Sequence, residues 1–482
     1  MSGNLAVGRA RWSLMALFAL FGIVGTSWMT RLPSIRDALG VSSAQLGLIL
    51  IVGAVGALFA VVSTGAIVSR FGSRSTLVAA TALNLVALLL VAWGTAVGSV
   101  GIFAVGAFLN GVSGALMNVP INLNGALVEQ QVGRAILPHF HAAFSIGAGA
   151  GALVGAAFSA AHIHISVQLV IVTVAVAVAR AVTIGPATVF APERRAGATT
   201  TPGVSPADLE HDLAESPAGG ATEPAVSGAV VDAADGASGA EASRAAAGAA
   251  SAGATGGSDG GSTARGARDI RATAQKPPRR GAGMRSALSA WREPRTILIG
   301  LVLLASSLSE GSAGNWLSIA MVDGFEVREA VGAMAYGTFV GAMTVFRFAG
   351  TGLIDRFGRV TVLRASGVSA LVGLLLFGLA PQIWLAWCGI VLWGCGAALA
   401  NPIAIAAASD DPLRSPARVS VVTSFSSFAQ LTAPPVLGLL ADEIGGRYAL
   451  LTICAAMVLS LALAGQVRPL PREARSLVPE RA

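Results

Sequence analysis

The sequence predicts an all-α polytopic membrane protein, with twelve transmembrane helices arranged as two pseudo-symmetric six-helix halves. Three observations carry that expectation. The 482-residue chain is 54% hydrophobic and 12% charged, with a mean hydropathy of +0.71. Soluble domains carry about 25% charged residues. Its apolar runs are about 20 residues long, enough to cross a hydrocarbon core as helices. Short motifs also recur at a nearly constant offset between the two halves.

The elements follow in chain order. The first run, 12–33, comes after Arg9 and Arg11. No small-residue cleavage site follows it and Arg31-Leu32-Pro33 does, so it is read as a retained helix and not a signal peptide. Five more runs lie at 43–68, 75–96, 100–128, 136–160 and 165–190. A second set lies at 295–322, 330–354, 360–380, 383–408, 418–441 and 447–467. They are helices because an isolated strand cannot satisfy its backbone in lipid. Between the sets, 191–290 is rich in Ala, Gly, Ser, Thr and Pro and ends in the basic stretch Lys276-Pro-Pro-Arg279-Arg280. It lacks apolar periodicity and reads as a disordered linker. The expected organisation is a first half over 1–190, a linker over 191–290, a second half over 291–468 and a tail over 469–482.

Charge sets the orientation. The net charge of +7 would hint at nucleic acid in a soluble protein. Here the arginines cluster between apolar runs, which reads as topology, and no nucleic-acid partner is expected. With both termini inside, the outer connections hold only Arg31, Arg36, Arg328 and Arg447. Discounting the long linker still leaves 14 basic residues inside against 4 outside. The positive-inside rule therefore puts the linker and both termini in the cytoplasm of a cell-membrane protein. Cys388, Cys395 and Cys454 all fall in apolar runs, as small buried hydrophobes and not as a disulfide or metal framework.

The halves resemble each other. "LIDRFGRV" (353–360) repeats "IVSRFGSR" (67–74) at an offset of 286. "GAALANPI" (396–403) repeats "GALMNVPI" (114–121) at 282. Phe140 and Phe144 correspond to Phe425 and Phe428. A six-helix unit present twice around a central linker is characteristic of transporters, whose halves rock about a midplane site.

These features resemble the major facilitator superfamily, whose loop after the second helix of each half runs Gly-x-Leu-x-Asp-Arg-x-Gly-Arg-Arg. The first copy here is Gly65-Ala-Ile67-Val-Ser69-Arg70-Phe-Gly72-Ser73-Arg74, with Ser69 in place of Asp. The second is Thr351-Gly-Leu353-Ile-Asp355-Arg356-Phe-Gly358-Arg359, with Thr351 in place of Gly. "RLPSIRDALGVSSAQLG" (31–47), "INLNGALVE" (121–129), "HFHAAFSIGAGAGALVGA" (139–156) and "SEGSAGNW" (309–316) resemble an uncharacterised bacterial permease branch near the fucose-permease-like members. The resemblance implies that the two basic turns gate the cytoplasmic side, through Arg70, Gly72, Arg74, Asp355, Arg356, Gly358 and Arg359, with Glu129 close by. Ser69 removes a charge, so the latch is expected to be held mainly from Asp355 in the second half. Ordinary anchoring by Arg74, Arg359 and Arg364 is the plainer alternative.

Ionisable residues inside a span are functional candidates, because an unpaired charge in hydrocarbon is costly. Glu310 lies about 15 residues, or ~22 Å, into the seventh span. A carboxylate there can take up and release a proton, or serve structurally among neighbouring polar groups. Asn315 and Trp316 follow it. Arg347, ~12 Å from the cytoplasmic end of the eighth span, either meets an anion or carboxylate or snorkels to the surface. Arg180 in the sixth span is read as a packing partner. Asn118, Asn122 and Glu129 fall within about 40° of one another on the fourth helix, a polar stripe suited to a cavity or to interhelical bonding. His141 opens the fifth helix with Ser145 one turn on, and Trp28 and Arg31, near the end of the first, are candidates to close the outer side. Gly147, Gly151 and Gly155, spaced by four, form a close-packing face. The Gly-Pro pair of the superfamily's drug–proton antiporters is missing from this helix.

The chain has no G-x-x-x-x-G-K-[ST] loop and no H-E-x-x-H motif, so neither ATP coupling nor zinc hydrolysis is supported. The expectation is a monomeric permease and no enzyme, without cofactor or metal. It would move a small polar solute by alternating access, coupled to protons as a symporter. An exporter of amphipathic compounds and a non-transporting membrane sensor are the alternatives.

Overall fold

The computed structural model describes residues 2–133, 136–191, 289–411 and 414–469. Nearly all of the expected linker and tail lies outside them. The first half comprises α1 (Ser2–Met29), the short α2 (Leu32–Leu39), α3 (Ser43–Phe71), α4 (Ser73–Val97), α5 (Val100–Val132), α6 (Leu137–Ala160) and α7 (Ile165–Ala187). The second comprises α8 (Pro294–Phe325), α9 (Glu329–Phe357), α10 (Arg359–Leu379), a broken span of α11 (Ile383–Ala397) and α12 (Ala400–Ala408), α13 (Ser415–Ile444), and a last span of α14 (Gly446–Leu451) and α15 (Ile453–Leu463) closed by a 3-10 turn, Ala464–Val467.

Eleven described segments are long and apolar enough to cross a bilayer. The twelfth span is α13. Its 30 residues give ample length, but Ser, Thr and Gln dilute its hydropathy and Pro434-Pro435 interrupt its hydrogen-bond ladder.

Local chemistry explains the turns. Gly72 joins α3 to α4 alone, at φ +79° and ψ 157°, and its N–H closes on Val68 O at 2.7 Å. Gly358 joins α9 to α10 at φ +77° and ψ 155°, closing on Ile354 O at 2.8 Å. Only glycine takes that conformation without a Cβ penalty, so the repeated Arg-Phe-Gly is one backbone device used twice. Ser42 caps α3 through a reciprocal bond pair with Gln45.

Small residues set the closest approaches. A Cβ at Gly147, Gly151 or Gly155 of α6 would strike Ala19 or Ile23 of α1 or Thr30 just beyond it. Two seams join the halves: α3 lies against α13 and α6 against α9. In the first, Gly47 faces the Pro434 backbone and Gly438 faces that of Ser43.

Candidate functional site

At the core of the second half lies a buried polar cluster. Glu310 on α8 is 1% exposed. Its Oε1 accepts from Arg347 Nη2 at 3.0 Å and its Oε2 accepts from Asn401 Nδ2 at 3.0 Å. The local sequence explains why Arg347 points inward. Pro402 has no N–H, so the Ala398 carbonyl four residues earlier loses its helical donor. Arg347 Nε supplies one at 3.1 Å, and the span breaks there into α11 and α12. Arg347 is therefore paired and buried, and the snorkelling alternative does not hold.

His141 reaches this region from α6, in the other half. It is buried, its ring meets Phe18 edge-on at 5.4 Å, and its Nδ1 has no hydrogen-bond partner among the described residues. It lies close enough to Arg347 for their charges to interact. Glu310 and Arg347, separate candidates in the sequence, thus pair within the second half, and His141 approaches from the first across the seam of α6 and α9. Asn401 completes the cluster. It sits in the repeated "GAALANPI" stretch, which marked the repeat without marking the side chain.

A cavity, part of it open to solvent, lies between the halves. Trp28, Asn315, Asn110, Ser307 and Gln430 are among its lining residues. The first two were expected; the last three carry no charge and have no mark in the sequence. Asn118 and Asn122 are half-buried and bond to each other, Asn122 Nδ2 donating to Asn118 Oδ1 at 2.9 Å. They are not among the residues lining this cavity.

Bonds between the halves gather at the end away from the basic turns. Arg31 pairs with Glu329 at 2.6 Å, and it also donates to Gln168 Oε1 at 2.8 Å. Glu329 accepts from the Ser34 N–H at 2.8 Å, the Ser34 hydroxyl at 2.6 Å and the Ser159 hydroxyl at 2.9 Å. Arg36 Nη2 donates to Asp323 Oδ1 at 2.9 Å. Asp442 accepts from the Ser43 and Ala44 amides at 2.9 Å each, at the N-terminus of α3. Arg31 thus ties the halves together at one end and does not line the cavity. Glu329 is not a sequence candidate; its only sequence signal is a cluster of acids, Asp323, Glu329 and Asp442, in the same connections as Arg36, Arg328 and Arg447.

The basic end is arranged differently. Asp410 takes both Arg359 at 2.7 Å and Arg295 at 3.0 Å, and Glu293 takes Arg418 at 2.6 Å and Arg414 at 3.0 Å, all within the second half. Asp355 is exposed and forms no ion pair among the described residues. Arg356 lies 5.4 Å from the Phe357 ring and Arg70 the same distance from the Phe71 ring. Arg74 is exposed. The expected latch from Asp355 is therefore open in this state. Glu129, expected at the gate, instead caps α6: its Oε2 accepts from the Ile136 and Leu137 amides at 2.6 and 2.7 Å. Those donors lie in the first turn, where a helix leaves its amides unsatisfied.

The sequence profile described as Major Facilitator Superfamily matches residues 12–413, and again 299–482. A curated relative, "Uncharacterized transporter y4wD" of Sinorhizobium fredii, is 35% identical over 168 residues, covering 34% of this chain and 45% of the relative. The chain spans less than half the length of the curated relatives it matches. A crystal structure of the nucleoside transporter NupG superposes with a TM-score of 0.65 at 14% identity, over 95% of this chain and 99% of that one. A D-xylose–proton symporter superposes with a TM-score of 0.62 at 11% identity, over 96% and 98%. Likeness at that identity speaks for the fold.

Proposed function

Because the chain belongs to the major facilitator superfamily, we propose that it is a secondary active transporter that moves a small polar solute across the cell membrane by alternating access, with protons as the coupling ion. The observation that carries this reading is the contrast between the two ends. Glu329 and Asp442 gather donors from the opposite half at one end, while the ion pairs of the other end stay within one half. Such an arrangement suits a carrier whose solute cavity faces the basic side, and the charge asymmetry supports reading that side as the cytoplasm. The polar lining from Asn110, Ser307, Asn315 and Gln430 favours a polar solute over an amphipathic one.

Glu310 is the proposed proton site. Its carboxylate holds Arg347 and Asn401 together, and His141 of the other half lies near the same guanidinium. Protonation would remove one charge of the pair and free Arg347 to follow another anion or to let α9 move past α6. The structural neighbour titled a D-xylose–proton symporter is consistent with such coupling. Asp355, Arg356 and Arg359, with Arg70 and Arg74 opposite, are proposed to close the basic end in the opposing state.

The test uses purified protein in proteoliposomes. Glu310→Gln should abolish pH-gradient-driven uptake while leaving exchange of solute down its own gradient intact. Wild-type coupling in that variant would overturn the assignment of Glu310. The absence of any flux in the wild-type protein would overturn transport itself.

A further inference from the structure

Arg180 is 2% exposed on α7, and no carboxylate pairs with it among the described residues. A buried guanidinium without a counter-ion is expensive in a membrane, so what it touches bears on why it is there. Its Nη1 donates to Asn84 Oδ1 on α4 at 2.9 Å. Asn84 Nδ2 then donates to Asn110 Oδ1 on α5 at 2.9 Å and to Ser113 Oγ at 3.2 Å. The Ser113 hydroxyl donates onward to the Asn110 carbonyl at 2.8 Å.

Chemistry fixes the direction of this chain. A guanidinium has donors and no acceptor. Asn84 must therefore turn its oxygen to Arg180 and its NH₂ to Asn110. Asn110 must turn its own oxygen back to Asn84. That leaves Asn110 Nδ2–H₂ for the cavity, whose wall Asn110 forms. An asparagine amide normally presents a donor or an acceptor at will by flipping; this one cannot flip without setting two oxygens or two NH₂ groups against each other. A second observation points the same way. Trp28 lines the same cavity, is 4% exposed, and its Nε1–H has no hydrogen-bond partner among the described residues. An indole nitrogen can only donate.

We propose that the cavity recognises an oxygen acceptor on the solute, a carboxylate above a neutral carbonyl, through Asn110 Nδ2–H and Trp28 Nε1–H, with Arg180 and Asn84 as positioning residues that lock Asn110 as a donor. This rests on the transporter reading and narrows its substrate class. Donors alone do not choose between the two kinds of oxygen. The uncompensated charge of Arg180 does, because in a low-dielectric interior it favours an anion at the far end of the chain.

Three matched pairs test it by thermal shift of the purified protein: L-lactate against 1,2-propanediol, D-gluconate against D-sorbitol, and N-acetyl-D-glucosamine against D-glucose. The first two pairs probe a carboxylate and the third a neutral carbonyl. The expected result is stabilisation by the acceptor-bearing members at concentrations at least about tenfold lower than by their partners, strongest in a carboxylate pair. Asn110→Asp keeps the acceptor that Asn84 needs and removes the donor to the cavity, so it should erase that preference in a folded protein. Arg180→Gln, which can flip, should lower the preference several-fold, and Arg180→Lys should restore it; a merely structural role would change melting without changing selectivity. A wild-type protein that prefers the polyols, or none of the acceptors, overturns the proposal, as does an unchanged ratio in Asn110→Asp. Acceptor-selective stabilisation without flux in proteoliposomes would remove the transport reading and leave this one standing. Flux with no selectivity would do the reverse.

Discussion

Glu293, the residue at the N-cap of α8, illustrates how single charges are held at the basic end. Burial alone would raise its carboxyl, but bonds from Arg418, Thr296 and Arg414 outweigh that and hold it below the usual carboxylate range. A carboxyl lowered in the folded state contributes stability that is complete above its unfolded value, about 4.3, and lost as pH falls through the lower folded value. Melting curves of the wild type and of Glu293→Gln should therefore differ by a constant amount near neutrality and converge only on strong acidification. Convergence already at pH 6 would mean the carboxylate is not held as described. Glu310, Arg347 and His141 were legible in the sequence because ionisable side chains are rare in apolar helices. Asn84, Asn110 and Asn401 were not. A neutral amide in a Gly/Ala-rich helix looks the same whether it bonds its own backbone, a buried arginine or a solute. Glu329 was illegible for another reason: acids are ordinary at helix ends, and its partner Arg31 lies in the other half.

At the scale of elements, sequence spacing recovered every span, because twenty apolar residues in lipid leave the backbone few alternatives to a helix. It did not show that the tenth span is two pieces. The break falls beside Pro402, whose missing N–H leaves the Ala398 carbonyl to Arg347, whereas Pro120 at the matching repeat position leaves α5 continuous. Pro402→Ala should return an intrahelical donor to that carbonyl and make α11 and α12 continuous, displacing Arg347 Nε from it. The expected outcome is retained folding with weakened proton coupling, read as a lower pH-driven uptake against unchanged exchange. Unchanged coupling would make the break incidental to Glu310. The paired glycines 72 and 358 show the opposite case. Their nearly equal φ and ψ were implicit in two copies of Arg-Phe-Gly, because only one backbone shape makes so short a turn with a glycine there.

The whole molecule is two six-helix halves with a lock between them, at the end away from the basic turns. Glu329 collects Arg31, Ser34 and Ser159 from the first half into one carboxylate. Glu329→Gln should loosen that end, and a cysteine introduced at Gly311 in the cavity should then react several-fold faster with a membrane-impermeant thiol reagent added from the side of Glu329. Unaltered labelling would reduce these contacts to packing. Asp355, exposed in this state, should leave that rate nearly untouched through any effect on the present contacts and act only through the opposing state. The lock is also layered. The Arg31 and Glu329 side chains are 5% and 12% exposed, whereas those of Arg36 and Asp323 are 17% and 36% exposed. Mobile ions reach exposed pairs and screen them within about 8 Å at physiological ionic strength, but screen buried pairs far less. Brine would therefore undo the rim of this closure and leave its heart intact, so a shift from fresh to salty surroundings would change how readily the gate begins to open more than whether it can hold.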